Sequence, residues 1–437
     1  MNEIEQMDRE HTFLTWGWQS DWTPEEIVNG DGCYFENTDG ERYLDFSSQL
    51  MCSNLGHSSE TVKNHIKDQL DKMPFSAPPL SSKPRARLAK KLADITPGSL
   101  SKTFFSTSGT EANEAALKIA RDVTDKHKVM SRYRSYHGAT FGSIALTGDP
   151  RRLKAEPAVP GFIKVPDPYG FRGTFEGNVM KTVEYIEEMM YLEGDTVGAL
   201  VVEPVVGSNG ILVPPSDYFP ELRRICDEHG ALLVVDEVMS GFGRTGKWFA
   251  SELWDFEPDI MTMAKGLSGA YIPLAATVVS EEIAEFYEGD QMLCHGHTYA
   301  GHDTACAGGL GAIRAYEEDN LIDRSAEQGK YLKSQLEEMA TDHPSVGDVR
   351  GVGMFCGLEL VKNQKTNEPF GTRYDKLERG ANMIGEVSGR CWELGAHVVG
   401  IINTLIVAPP LVATEEEIDE GIDILDEALE VADAETV

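Results

Sequence analysis

Apolar residues fall along this chain in two rhythms. Short, mostly apolar runs at Gly198-Ala199-Leu200-Val201-Val202, Ala231-Leu232-Leu233-Val234-Val235 and Ile260-Met261-Thr262-Met263 read as strands buried on both faces. Lys102–Ser106 and Lys128–Met130 read as two more. Between them apolar side chains recur at helical spacing: Val62, Ile66, Leu70 and Met73 after His57-Ser58-Ser59, then Leu88 and Leu92 beyond the proline- and serine-rich break 74–84. The first of these stripes is expected to pack into the core. Phe219, Leu222 and Cys226 face inward on a crossover helix from Asp217 to His229, closed by Gly230. Strand, helix, strand in this order predicts a parallel sheet with ligand groups at its carboxyl edge.

The flanks follow a different pattern. Residues 33–46 read as a hairpin around Asp39-Gly40. After about residue 320 come helices around Leu332 and Leu336, strands within 353–361, 398–402 and 405–408, and a last helix opened by the capping box Thr414-Glu415-Glu416-Glu417. The expected division is 1–55 with the small domain, 56–320 as a large domain and 321–437 as the rest of the small, α+β domain.

Two strand ends carry unusual groups. Asp236 follows the run 231–235, where a carboxylate is costly unless paired. Lys265 closes the stretch Pro258–Ala264, and a partly buried lysine there can lose its proton and attack an aldehyde cofactor; taken alone, it also fits a solvated strand end. Pyridoxal phosphate answers both, because its ring nitrogen, held protonated against an aspartate, makes the ring an electron sink. Thr107-Ser108-Gly109-Thr110 opens an alanine-rich helix and points N–H groups at an anion, although the same residues make an ordinary N-cap.

Asp236-Glu237-Val238-Met239-Ser240-Gly241-Phe242-Gly243-Arg244-Thr245-Gly246, followed by Ala264-Lys265-Gly266, resembles the class III, or omega, aminotransferases of pyridoxal-phosphate fold type I. The resemblance spans nearly the whole chain. It implies a large domain built on a mainly parallel, mixed seven-stranded sheet, a homodimer, Lys265 on the cofactor aldehyde and Asp236 on the pyridinium. It further implies a phosphate cup of Ser108, Gly109 and Thr110, with Thr298 supplied to it from the neighbouring subunit. Tyr136 is implied to stack on the cofactor ring, Val238 to pack on its opposite face, Glu203 to reach the site, and His137 to support the site without acting as general base. Trp18, Leu50 and Met51 are expected in the substrate pocket, with Met51 standing where some relatives have tryptophan. The tryptophans Trp16, Trp18 and Trp22 serve equally well as an active-site entrance or as an anchor on a partner subunit. Asp303 replaces a proline common in relatives, with no consequence evident in the sequence.

Composition narrows the setting. The 72 acidic and 39 basic residues give a formal charge of -33. That surface repels nucleic acid and anionic membranes, and its self-repulsion is relieved by screening, which suits a salt-rich cytosol. Seven cysteines without a Cys-x-x-Cys pair indicate neither disulfides nor zinc, and His295, His297 and His302 lack partners at ligand spacing. No apolar run approaches the ~20 residues that span a bilayer, and a soluble cytoplasmic protein is expected.

The activity implied is transamination between an amine donor and a keto acid, pyruvate by resemblance. Class III isomerases or decarboxylases and a binding protein without catalysis are the alternatives. Ile406 stands where ornithine- and GABA-type members carry an arginine, and Glu415 where many amine-type members carry another. Donors without an α-carboxylate are therefore expected, with the keto acid held by an arginine that the sequence does not identify.

Overall fold

The computed structural model describes residues 1–378 and 382–437. At its centre lies a seven-stranded sheet of β1 (Leu100–Ser106), β2 (Lys128–Arg132), β3 (Phe162–Val165), β4 (Val197–Val202), β5 (Leu232–Asp236), β6 (Ile260–Met263) and β7 (Ala275–Ser280). In space the order is β1-β7-β6-β5-β4-β2-β3. β7 is antiparallel to β1 and β6, and the other pairings are parallel.

The apolar runs explain this placement. Successive side chains of a strand point to opposite faces. Ala199, Val201, Val234 and Ile260 pack with Leu117, Ile119 and Ala120 of helix Gly109–Thr124 on one face. Leu200, Val202, Leu233, Val235 and Met261 pack with Phe219, Leu222 and Cys226 of helix Tyr218–His229 on the other. A sheet covered on both faces has no use for alternating polar residues, so the runs are continuous. Val202 pairs with Val235, and Asp236 pairs with Thr262, so β4, β5 and β6 end side by side.

A smaller body joins both ends of the chain. Ile27–Asp31, Tyr34–Asn37 and Arg42–Asp45 form antiparallel pairs, and Ala396–His397 pairs parallel with Arg42–Asp45. A second antiparallel sheet comprises Val346–Gly351, Cys356–Asn363, Thr404–Val407 and Val399–Ile401. The capping box at Thr414 forms and opens the helix Glu415–Asp433. Among the described residues no helix is long and apolar enough to cross a membrane.

The stripe at 62–73 is core at one end only. The helix covers Glu60–Leu70, Val62 is buried, and Leu70 and Met73 are 50% and 53% exposed. Its first turns press on helix Asp303–Glu318, where a Cβ on Gly311 would come 3.0 Å from Val62 Cα. The helix ends at Leu70, short of Met73, and Pro74 disfavours a helical conformation for the residue before it. Asp303 has a consequence after all: its buried carboxylate accepts from the Ser76 N–H at 2.6 Å and its hydroxyl at 2.7 Å, and from the Ser82 hydroxyl, fastening the 74–84 segment.

Candidate active site

The carboxyl ends of β4, β5 and β6 open into a cavity of about 400 Å³. Glu203, Asp236 and Lys265 line it, as do Ser108, Gly109, Thr110, Tyr136, His137, Val238, Leu50 and Met51. Residues from six separate stretches thus meet in one place.

Asp236 is 3% exposed and fully committed to orientation. One carboxylate oxygen accepts from Asn113 Nδ2 at 2.8 Å and lies 2.7 Å from His137 Nδ1; the other accepts from the Val238 N–H at 3.0 Å. Asn113 is itself fixed, donating also to the His137 carbonyl at 2.8 Å and accepting from the Thr262 hydroxyl at 3.0 Å. A buried carboxylate held by neutral donors still favours a cationic partner.

Lys265 stands at the turn that leaves β6, with φ +40°, a conformation that non-glycine residues rarely hold without support. Burial pushes its ammonium below the ordinary lysine value, and the Asp236 and Glu203 carboxylates offset part of that. The result is an amine nearer to its nucleophilic form.

Glu203 has no salt bridge among the described residues. Its oxygens accept from the Tyr136 N–H at 3.0 Å and the Gly207 N–H at 2.8 Å, and burial pushes its carboxyl up. Ile406 is buried, Glu415 is exposed, and neither lines the cavity. Within this chain's own cavity the expectation about the donor therefore rests on the absence of the arginines that relatives carry at these positions and not on a contact with Glu415.

Ser108 serves as N-cap of helix Gly109–Thr124, its hydroxyl accepting from the Glu111 N–H, while this helix end faces the cavity. N-cap and anion cup are thus the same structure, since the first-turn N–H groups lack helical partners. Gly109 permits close approach: a Cβ there would lie 2.9 Å from Val238. The Thr110 hydroxyl is already engaged, 2.6 Å from Ser143 Oγ and accepting from the Ala139 N–H at 3.0 Å.

Two expected residues lie elsewhere. Trp18 is 47% exposed and outside the cavity lining, and Trp16 takes the place expected of it. The chain turns at Trp16, with φ +60°, before Trp18 precedes a short 3-10 helix, and of the two only Trp16 lines the cavity. Thr298 is exposed and lines no part of its own chain's cavity. Nearby, His295 sits 3.1 Å from Lys118 Nζ and His297 4.0 Å from Glu111.

A model of the class-III aminotransferase family matches residues 19–429. The chain belongs to the class-III aminotransferases. This aminotransferase is 37% identical in sequence to a taurine:2-oxoglutarate aminotransferase from Bifidobacterium kashiwanohense, whose structure, in complex with pyridoxal phosphate and glutamate, superposes with a TM-score of 0.94 over 99% of this chain and 98% of that one. It is 34% identical over 423 residues to the putrescine–pyruvate aminotransferase of Pseudomonas aeruginosa, covering 92% of this chain and 90% of that one. It is also 38% identical over 408 residues to a leucine/methionine racemase of Thermococcus litoralis, covering 90% and 87%. Members of the family move an amino group between an amine and a keto acid with pyridoxal phosphate. The residues here fit that cofactor: a buried carboxylate without lysine or arginine partner among the described residues, a buried lysine on the adjacent strand end, and an open helix N-terminus beside Gly109.

Sequence reasoning missed Asn113, Arg151, Val399 and Ile401, all of which line the cavity. Asn113 left a trace, as a polar residue on the buried face of a helix otherwise rich in alanine. Arg151 left none.

Proposed function

We propose that this aminotransferase moves an amino group from an amine without an α-carboxylate to pyruvate, as a cytoplasmic homodimer adapted to high salt. The observation that carries the reading is the adjacency of Asp236 and Lys265 at neighbouring strand ends in one largely apolar cavity, lined also by Leu50, Met51, Met239 and Val399. Pyruvate is the acceptor named for the Pseudomonas relative. Thr298, exposed and away from its own cavity, is assigned to the cavity of a second copy.

Bound at this site, pyridoxal phosphate supplies an electron sink that stabilises negative charge at the donor carbon. Ser108, Gly109 and Thr110 would hold the phosphate, and Tyr136 and Val238, which line the same cavity, would hold the ring. Asp236 keeps the ring nitrogen protonated, with Asn113 and His137 fixing its carboxylate. Lys265 would anchor the group through its side-chain nitrogen, and the same amine, buried and nearer its neutral form, is the base placed to hold and move a proton at the end of β6. The apolar walls keep water from competing for that proton.

A panel of 1-phenylethylamine, β-alanine, taurine, GABA, ornithine and glutamate with pyruvate tests the reading. Alanine should form with the arylamine and the ω-amino acids. If ornithine or glutamate exceeds all of these by about tenfold in kcat/KM, the donor assignment fails. The likeness to a racemase gives the second reading its support: enantiomers of leucine or methionine interconverting without any keto acid would establish it. Light scattering that shows a single chain in solution would remove the role assigned to Thr298.

A further inference from the structure

Beside the active site lies a second cavity that the proposed reaction does not use. It holds about 160 Å³ where the large sheet meets the smaller body, well under the roughly 300–1,000 Å³ of sites that take drug-sized ligands. Arg134, just beyond β2, and Arg172 line it on one side, and Arg373 and the turn 401–404 line it on the other. Ile401 lines the active-site cavity as well, so one residue belongs to the walls of both.

The charged groups around this space are unevenly matched. Three arginines and one glutamate line it. Glu359 is wholly engaged: it accepts from Arg172 Nε at 3.1 Å and from the Tyr169 hydroxyl, and it pairs with Arg350 at 2.7 Å. Arg134 donates through Nη1 to both oxygens of Asp167, at 2.9 and 3.1 Å, which leaves its Nε and Nη2 without a protein partner among the described residues. Its guanidinium carbon lies 4.4 Å from the centroid of the Tyr169 ring, a floor that fixes its plane. Arg373 pairs with no carboxylate among the described residues. Its Nη2 donates to the Tyr133 and Gly148 carbonyls at 3.0 and 2.7 Å, and its Nε is buried without a partner. Asp375, close to Gly371, turns its carboxylate to the Thr372 N–H and hydroxyl instead.

A neutral group completes the set. Asn209 is 6% exposed and lines the same cavity, yet neither its Oδ1 nor its Nδ2 has a hydrogen-bond partner among the described residues. A buried amide left in that state is costly unless something occupies the space before it. Guanidinium edges and an amide N–H are donors, which selects an anionic acceptor of a few atoms. The turn on the far wall is strained: Ile402 holds φ +62°, rare for a β-branched residue. Asn403 beside it clamps Gly371, accepting from its N–H at 2.9 Å and donating to its carbonyl at 2.8 Å.

We propose that this cavity binds a small oxyanion, held by the free edges of Arg134, Arg172 and Arg373 and by Asn209 Nδ2. The ion ties the turn 401–404 to the large domain and so steadies the Ile401 wall of the active-site cavity. It touches neither Lys265 nor the helix end at Ser108, and it is neither substrate nor cofactor.

The test is calorimetric titration of holoenzyme with inorganic phosphate and with acetate, at fixed ionic strength and fixed potassium chloride. About one ion per chain should bind. Asn209→Leu removes a partnerless amide and no charge, so screening is the same in both proteins; it should weaken binding by about tenfold or more. A thermal midpoint that climbs with phosphate in the wild type should stay flat in this variant. A merely structural Asn209 predicts the opposite, since replacing an unpaired buried amide by an apolar group then leaves the response to phosphate untouched. Arg373→Met carries the same test by the same criterion should the leucine variant not fold. Saturable binding of either ion that depends on these side chains supports the site. Binding of neither ion, or equal affinity in the folded variant, would overturn it. Amide hydrogen exchange over 400–405 should slow severalfold in saturating phosphate, and binding without that slowing would overturn the bracing of the turn.

Discussion

His137 Nδ1 lies 2.7 Å from Asp236 Oδ2 in a contact closed to solvent, and His137 Nε2 has no hydrogen-bond partner among the described residues. With Asn113 on the same oxygen, the imidazole acts as a brace on a carboxylate whose job is to hold a charge opposite. Asp236→Asn should keep the fold and reduce kcat by roughly 10²–10³, the scale for losing a preorganised electrostatic group. His137→Gln should have a smaller effect, about ten- to a hundredfold, since a hydrogen bond to a charged group is worth about 1.5–3 kcal/mol and Asn113 remains. Steady-state kinetics with matched circular dichroism decide this; equal losses for the two variants would mean that the histidine does more than brace.

Lys265→Ala should still bind pyridoxal phosphate but leave no covalent adduct after borohydride reduction, read by mass spectrometry, and kcat should fall by about 10³ or more. Because burial lowers the lysine, the rate of covalent attachment to apoenzyme should rise with pH and level off at a midpoint below the ordinary value of 10.5. A midpoint at or above that value would place the amine in water.

Glu237 makes a separate claim about stability. Its carboxyl is fully buried, accepts from the Ser240 hydroxyl at 2.5 Å and the Ser251 N–H at 2.6 Å, and is pushed by burial up to about 7 from 4.5. The folded protein therefore binds this proton more tightly than the unfolded chain, so folding stability falls as pH rises from 4.5 to about 7. Glu237→Gln should flatten that dependence, gaining up to about 3 kcal/mol relative to wild type above neutrality. Denaturant titrations at pH 5 and 8 measure the difference, and parallel pH profiles would disprove it.

The charge of -33 predicts that Tm and activity rise as potassium chloride goes from millimolar to molar, as screening relieves self-repulsion. A Tm indifferent to salt over that range would remove the adaptation to brine.

Strand ends were the most legible feature of the site. Asp236 and Lys265 stand out because a charge closing an apolar run has few bland explanations, and the runs themselves fixed the sheet. What stayed hidden depends on direction rather than composition. Trp16 and Trp18 are indistinguishable in a sequence, and only the folded chain, which turns at Trp16 with φ +60°, puts Trp16 rather than Trp18 at the cavity. Arg151 follows Asp149-Pro150 in a short 3-10 segment with no periodicity, and Lys376, which shares the Asp149 carboxylate with it, lies 227 positions beyond Asp149. Asp303 reveals its purpose only when the 74–84 segment lies against it.

Arg42–Asp45 finds its neighbour in Ala396–His397, about 350 residues later. On a ribosome adding roughly 5–20 residues per second, that neighbour arrives some 20–70 s after the first strand has emerged. For that interval the hairpin has one bare edge and no core, while the central sheet between them is already complete in sequence. Assembly of this enzyme is therefore expected to run from the middle outward, with its first residues among the last to settle.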